Sequence, residues 1–578
     1  MALLTLANAP VHAQPPTCAW DHGITLPGCE GRTVRLLSDG GLGLLAVSAH
    51  STGEDKSGPT NGRGTLRLHH VLEQGRLDPN LPAEGAVFFI PALSPTDQPR
   101  SQLVRVLPDG EGGAWVLVGA CNPFLPKVRC WETAIARLLH VTSAGVLYPG
   151  WPDQGIVLPA LRTPEVPNVW ADMVEDGAGG VVVAWLQALG TTGNVATRAQ
   201  RFSPDGTPQW TGGLAGRDLL PSNVPRSALN VISDRQNGAV VVVTRPLPSP
   251  AGNTSLLAAR VSQSGQSLWG AFGSRVLDMP NEAEAVLGIT VDVFGYTFIA
   301  AGLTNLTTLE RHIGTQWLDD AGNQLWGPLG IEQGTVSQGP VATASIGATH
   351  AIAWLDALGT ARYQTLDESG SPTWGPALEG VPATWSGPAV PLLFVPLPDG
   401  HLLAAYPAVP AHDSSFARVI ELDGGGAPVA GWPDSGTVVC GTHSGHVFAD
   451  AVLLGDYLFA GIGSIDGPYV APKLQRMTRA ALGVKPPLPL RVLELRPLSP
   501  NPSRGPWSVS FALQLEATVM LEVFDIAGRR VLERELGRFA PGPHVMPAAD
   551  AGGLPAGVYR VRVRTPLHSA ERMLVRVR

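Results

Sequence analysis

Asn168 to Gly213 reads NVWADMVEDGAGGVVVAWLQ, then a short loop, then ATRAQRFSPDGTPQWTGG, and this pattern recurs with decay along most of the chain. Asp176-Gly177-Ala178-Gly179-Gly180 has the composition of a tight turn between two apolar runs. Ser203-Pro204-Asp205-Gly206 has the same composition further on. One copy therefore reads as four short antiparallel strands, and its recurrence points to a repeat architecture.

Turns of the first kind recur at Asp39-Gly40-Gly41, Asp109 to Gly113, Asp234 to Gly238, Asp292 to Gly295, Ser345 to Gly347, Pro398-Asp399-Gly400 and Gly455-Asp456. The strands that follow, such as AWVLVGA, VVVAWLQ and AVVVVTR, are too continuously apolar to face water on either side. In the second hairpin a glycine precedes a tryptophan at a fixed step: Gly206 and Trp210, Gly265 and Trp269, Gly322 and Trp326, Gly370 and Trp374. Gly145 with Trp151 and Gly426 with Trp432 have a longer turn, and Leu81 takes the tryptophan's place after Gly75.

Seven units are complete, and an eighth starting at Phe448 lacks its tryptophan strand. Ala19-Trp20-Asp21-His22-Gly23-Ile24-Thr25-Leu26 matches that missing piece at the other end of the chain. The reading is all-β: an eight-bladed β-propeller over 14–484, with residues 18–28 completing the last blade and closing the ring. A seven-bladed ring or two stacked sheets is the weaker alternative. Closure would put the loops between second and third strands on one face, with the Asp-Gly turns opposite. Three of those loops are long and irregular: Ser51 to Gly64, Cys121 to Cys130 and Arg245 to Thr254.

The composition agrees. The 578 residues include 68 glycines and 53 prolines, only 15% are charged, the net charge is -8 and the mean hydropathy is slightly positive, which together exclude a disordered chain. An acidic chain is poorly suited to nucleic acid, and no nucleic-acid partner is expected. No run approaches the roughly 18 apolar residues of a membrane helix, so no transmembrane segment is expected. Residues 1–13, ending Val11-His12-Ala13, read as the end of a secretory signal cleaved after Ala13. Five cysteines fit an exported protein. Cys121 and Cys130 bracket one loop and could close it by a disulfide, leaving Cys18, Cys29 and Cys440 unassigned.

Residues 485–493 form a proline-rich connector, and 494–578 alternate as the strands of a small Ig-like β-sandwich. Asn501-Pro502, Leu521-Glu522-Val523-Phe524-Asp525-Ile526-Ala527-Gly528-Arg529, Gly542-Pro543-His544 and Leu554-Pro555-Ala556-Gly557-Val558-Tyr559 resemble the C-terminal sorting domain of type IX secretion substrates and its FlgD-like Ig-fold relatives. The resemblance implies export, secretion machinery as a partner, and Asn501, Pro502, Asp525, Gly528, Gly542, His544, Gly557 and Tyr559 as sorting-motif positions. The Gly-to-Trp hairpins more weakly resemble the tryptophan-docking repeats of pyrroloquinoline-quinone-like eight-bladed propellers, which occur in dehydrogenases and in non-enzymatic scaffolds. The adjacent Cys-Cys pair common in those dehydrogenases is missing, and no cofactor is expected.

Asp172, Glu282 and Glu284 lie before inner strands, where acids can face the channel. His443 and His446 form H-x-x-H at a blade junction, but no third ligand accompanies them and no metal site is assigned. Trp131, Trp170 and Trp385 fall outside the repeat position and near the loop face, where ligand contact is conceivable. The repeat tryptophans are expected to pack between blades. No catalytic residue is nominated. The leading expectation is a secreted or cell-surface binding or scaffold protein whose ligand is a polymer, glycan or protein. The rival is an extracellular enzyme, a quinone-dependent dehydrogenase or a glycan-active lyase or hydrolase; a bare spacer is a third reading.

Overall fold

In the computed structural model the described residues run, with gaps, from Thr17 to Val577. Outside them lie 1–16, 19–23, 51–63, 91–99, 122–134, 159–170, 190–194, 221–227, 248–252, 336–340, 383–392, 409–415, 440–445, 465–472, 479–492, 496–502 and 548–553, with shorter runs elsewhere. The described chain is strand throughout except for one 3-10 turn, Gly213–Ala215. Among the described residues no helix is long and apolar enough to cross a membrane.

Up to Thr478 the strands form seven sheets, each built of consecutive antiparallel neighbours. One sheet has eight strands because two four-strand units, starting at Ala228–Ser233 and Glu282–Val291, are joined by a single parallel pair, Thr254 with Ala283. The second strands carry the apolar runs. Val181 to Leu186 are all buried, as a strand sandwiched on both faces must be. The cores lie between successive units. One joins Val174, Val182 and Leu186 to Val231, Val241 and Val261. Another joins Leu36 and Leu44 of the first unit to Phe459 and Leu474 of the last, with Leu26 from the N-terminal segment between them.

Two devices repeat. In the first hairpin an aspartate Oδ1 accepts the N–H groups two and four residues on: for Asp109, those of Glu111 (2.8 Å) and Gly113 (2.7 Å); for Asp234, those of Gln236 (2.8 Å) and Gly238 (2.7 Å). This is an Asx turn extended by one further bond, and it explains why Asp opens the motif. The second oxygen takes a base from the third strand: His70 on Asp39 (3.1 Å), His140 on Asp109 (3.0 Å), Arg201 on Asp176 (2.6 Å) and Arg260 on Asp234 (3.0 Å).

In the second device a tryptophan indole N–H donates to a backbone carbonyl in the next unit's second hairpin. Trp151 reaches Pro204 (2.7 Å), Trp210 reaches Gln263 (2.8 Å), Trp269 reaches Asp320 (2.9 Å) and Trp326 reaches Glu368 (3.1 Å). The repeated step to glycine follows from this contact. Gly265 and Gly322 have φ near +83°, and a Cβ on either would stand within 3 Å of the previous unit's indole, so only glycine fits. Leu81 likewise lies against Gly145.

The last unit meets the first by the same rules. Thr17 pairs with Thr478 and Ile24 with Leu474, supplying the last sheet with an N-terminal strand. Arg476 donates to the carbonyl of Glu73 (2.8 Å), two residues before Gly75, the place occupied by Pro204, Gln263 and Asp320 in the other hairpins. Asp450 accepts the N–H of Leu36 (2.8 Å).

Beyond the connector, strands Leu493–Leu495, Ser508–Leu513 and Gly542–Pro547 form one sheet, and Ala517–Phe524, Arg530–Phe539, Gly557–Arg564 and Ser569–Arg576 another. Trp507, Phe511, Leu521, Val523, Tyr559 and Val561 share a core between them. The first of these strands begins at Leu493, inside the stretch read as connector.

Candidate functional site

Apart from Glu282–Val291, which touches the preceding unit through Ala283, the first strands are sheet edges among the described residues, so their outward N–H groups need acceptors. Asp172, in strand Ala171–Glu175, supplies one. Its Oδ2 accepts the N–H of Val231 in the next unit (2.9 Å), the relation Asp450 has to Leu36. Arg105 of the preceding unit grips the same carboxylate through Nε on Oδ1 (2.7 Å) and Nη2 on Oδ2 (2.8 Å), and Met173 N–H adds a fourth bond (2.9 Å). Its two oxygens thus receive four donors, the full acceptor capacity of a carboxylate. Asp172 is within its strand rather than before it, and it fastens three units together. Burial pushes the Asp450 carboxyl above its ordinary range, against the opposing pull of the Leu36 N–H and of Arg35.

Glu282 and Glu284 sit on one strand, Glu282–Val291, at the joint between the fourth and fifth units. Their neighbourhood fixes which loops share a face. Leu306 N–H, in the loop between second and third strands, bonds to the carbonyl of Asn281 in the connection between units (3.1 Å), and Asn281 Nδ2 donates to Thr307 Oγ1 (2.9 Å). Loop and inter-unit connection therefore lie side by side. Asn305 stiffens that loop by accepting the N–H groups of Thr307 and Thr308 (2.9 Å each) and donating to Glu282 Oε1 (2.9 Å). Leu309, with φ of 62°, stands largely exposed at its tip.

Glu284 points into the seam. It is 2% exposed, its Oε2 accepts Leu256 N–H (2.8 Å) and its Oε1 accepts Met279 N–H (3.4 Å), while Thr254 Oγ1 donates to its own carbonyl (2.7 Å). Burial pushes its carboxyl up to about 7, outweighing those two N–H groups and nearby Arg275. A carboxyl so enclosed changes charge near neutrality without touching a dissolved ligand. The three acids thus do not form one channel cluster: Asp172 is two units away in a saturated ion pair.

The other candidates divide. Trp131, Trp170, Trp385, His443, Cys130, Cys440, Asn501, Pro502 and Gly528 lie outside the described residues; Cys121 ends strand Ala114–Cys121 and His446 begins His446–Leu454. Among the described residues no group of three His, Cys, Asp or Glu side chains is placed to hold a metal ion. In the tail, the remaining motif positions fold the sandwich. Tyr559 OH donates to the carbonyl of Pro555 (2.9 Å). Asp525 closes a turn on Arg529 N–H (3.0 Å) and Nε (2.8 Å). The His544 ring lies against Phe539 and Phe511, Gly542 has φ of 124°, and Gly557 sits beside the Tyr559 ring.

The third-strand bases were not anticipated from sequence. Arg67, Arg137 and Arg198 each donate to a carbonyl seventeen residues on, at Glu84, Gln154 and Ala215. With His70, His140 and Arg201 they form an R-x-x-[HR] spacing that was there to be read.

No protein-family model matches the chain, and no curated protein does. Among solved structures it is similar to the polysaccharide lyase Uly1, at 7% identity and TM-score 0.40 over 81% of this chain and 99% of that one. It is also similar to an α-L-arabinanase of Penicillium chrysogenum complexed with arabinobiose, at 10% and 0.30 over 64% and 91%. A prolyl endopeptidase matches at 9% and 0.37 over 84% of this chain and 55% of its own. At such values a likeness says nothing about activity.

Proposed function

We propose that the chain is an exported eight-bladed β-propeller, closed by its N-terminal strands, that binds an extracellular polymer, glycan or protein through its loop face, with an Ig-like C-terminal module as its address to a secretion machinery. The observation that supports binding over catalysis is the use made of the acids. Asp172 and Asp450 cap the edge N–H groups of neighbouring inner strands, and Glu284 is sealed in a seam, so each has a folding task. The loop face, rigidly mounted and free of the repeat's constraints, is where a ligand would meet the protein.

The test replaces the loops at 51–63, 122–134 and 306–310 by short Gly-Ser turns and measures retention on a panel of immobilised polysaccharides. Loss of binding with an unchanged melting temperature is expected. Release of unsaturated or reducing ends from any polysaccharide by the intact protein would overturn the binding reading in favour of the glycan-active enzyme. The address is tested separately: deletion of 494–578 is expected to hold the protein inside the cell, and unimpaired export would remove the sorting role.

A further inference from the structure

The fourth strand of each unit is a sheet edge at the rim, and a bare edge invites pairing unless it is short or charged. Most rim strands here are protected. Ile156–Val157, Ser274–Arg275 and Thr437–Val438 have two residues each; Arg217–Leu220 carries Arg217 and Asp218, Ile331–Thr335 carries Glu332, and Leu378–Pro382 carries Glu379 and Pro382. The first unit differs. Its rim strand Ala86–Ile90 reads AVFFI, five residues without a charge, and among the described residues it pairs on one side only, with Gly64–Leu72. Phe88 packs toward the core between the first two units, while Val87 and Phe89 stand 39% and 52% exposed.

We propose that this edge pairs with the same edge of a second copy of the chain, antiparallel, about a two-fold axis through Phe88. The segment is self-complementary in that register. Ala86 meets Ile90, and Val87 meets Phe89 twice, an aromatic with a β-branched side chain on one face, a favourable cross-strand pair. No charge is brought opposite its own copy, and a two-fold contact needs only this one surface. Two units then form one continuous sheet across the axis. Two five-residue edges make a small contact, of the size class in which weak and transient associations fall. This inference is independent of the ligand reading.

Sedimentation velocity on the full chain from about 1 to about 200 µM reads the monomer-dimer equilibrium over that range. Val87→Lys and Phe89→Glu, each made alone, are expected to weaken dimerisation at least tenfold while shifting the melting temperature little, since both side chains face solvent. An equimolar mixture of the two variants places lysine opposite glutamate in the proposed register and is expected to recover dimer. A wild-type chain that stays monomeric throughout, a dimer insensitive to both substitutions, or a mixture no better than its components would each overturn the proposal. Binding of an extended apolar peptide by a chain that never self-associates would do so as well.

Discussion

At the scale of single residues, two buried titratable groups pull the pH dependence in opposite directions. His350 is fully enclosed among Phe298, Trp317 and Trp326, and burial pushes its imidazole down to about 3. The unfolded chain protonates this histidine below about 6.5 while the folded one does not, so its contribution to stability is present above that pH and is lost on acidification. Glu284 works the other way. Its folded value near 7 exceeds the ordinary 4.5, so the folded chain holds a proton that the unfolded chain has released. Its contribution is present below 4.5 and fades as pH rises through 7. Between these limits the two slopes oppose, and Asp450 and Glu175, both also pushed up by burial, add to the Glu284 side at its acid end. Glu284→Gln removes the Glu284 slope. Urea unfolding of that variant is expected to show stability rising with pH from 4.5 to 6.5, by up to about 1.4 kcal/mol per pH unit. A variant with the wild-type profile would mean that Glu284 is ionised in the folded protein.

At the scale of the hairpin, the aspartate-base clasp is the most demanding element. Asp234 and Arg260 are 1% and 2% exposed, and Arg260 also donates to the carbonyl of Asp320 in the next unit (3.1 Å). Arg260→Met leaves a buried carboxylate without its counter-charge, and a loss of about 3–5 kcal/mol is expected. Asp234→Asn keeps Oδ1 for the two turn N–H groups, so the double variant should lose less than the sum of the single ones. A double-mutant cycle by chemical denaturation reads this directly, and simple additivity would show that the clasp contributes nothing as a pair. The same element shows what was legible beforehand. Asp-Gly turns and the Gly-to-Trp step announce themselves because turn chemistry is local and repeats. The base was harder to see, because its place is filled by His70 and His140, then by Arg201 and Arg260, and in the unit of Asp292 by Trp317, so no one residue type marks it along the chain. The glycine rule was visible but its cause was hidden: Gly322 answers to Trp269, fifty-three residues back, rather than to its own Trp326. Asp172 was misplaced for a similar reason. An acid at a channel reads as chemistry until the edge N–H of Val231, in another unit, is seen to need it.

At the scale of the whole molecule, the join between the last unit and the first runs through strands that belong to the last sheet in space and precede the first sheet in sequence. Thr17–Cys18 and Ile24–Thr25 cover the edge of Lys473–Thr478, and fully buried Leu26 and Cys29 fill the core that joins the last unit to the first. A chain lacking residues 1–29 would expose that edge and empty part of that core. Large core deletions cost about 2–5 kcal/mol each, so for a repeat region of this size a fall in melting temperature of about 4–10 °C with concentration-dependent aggregation is expected. The register offers a rescue. Thr17 faces Thr478, so the end of one strand lies beside the start of the other, as in the hairpins that complete the other units. Residues 17–29 inserted directly after Thr478 through a short Gly-Asn turn would restore the last sheet from contiguous sequence, with the remainder of the chain following unchanged. Scanning calorimetry should find this permuted chain within about 2 °C of wild type and above the truncated one. If the permuted chain melts with the truncated one, the last unit is held to the first by side-chain contacts, such as Asp450 with Leu36 and Arg476 with Glu73, and the N-terminal strand is not what joins them.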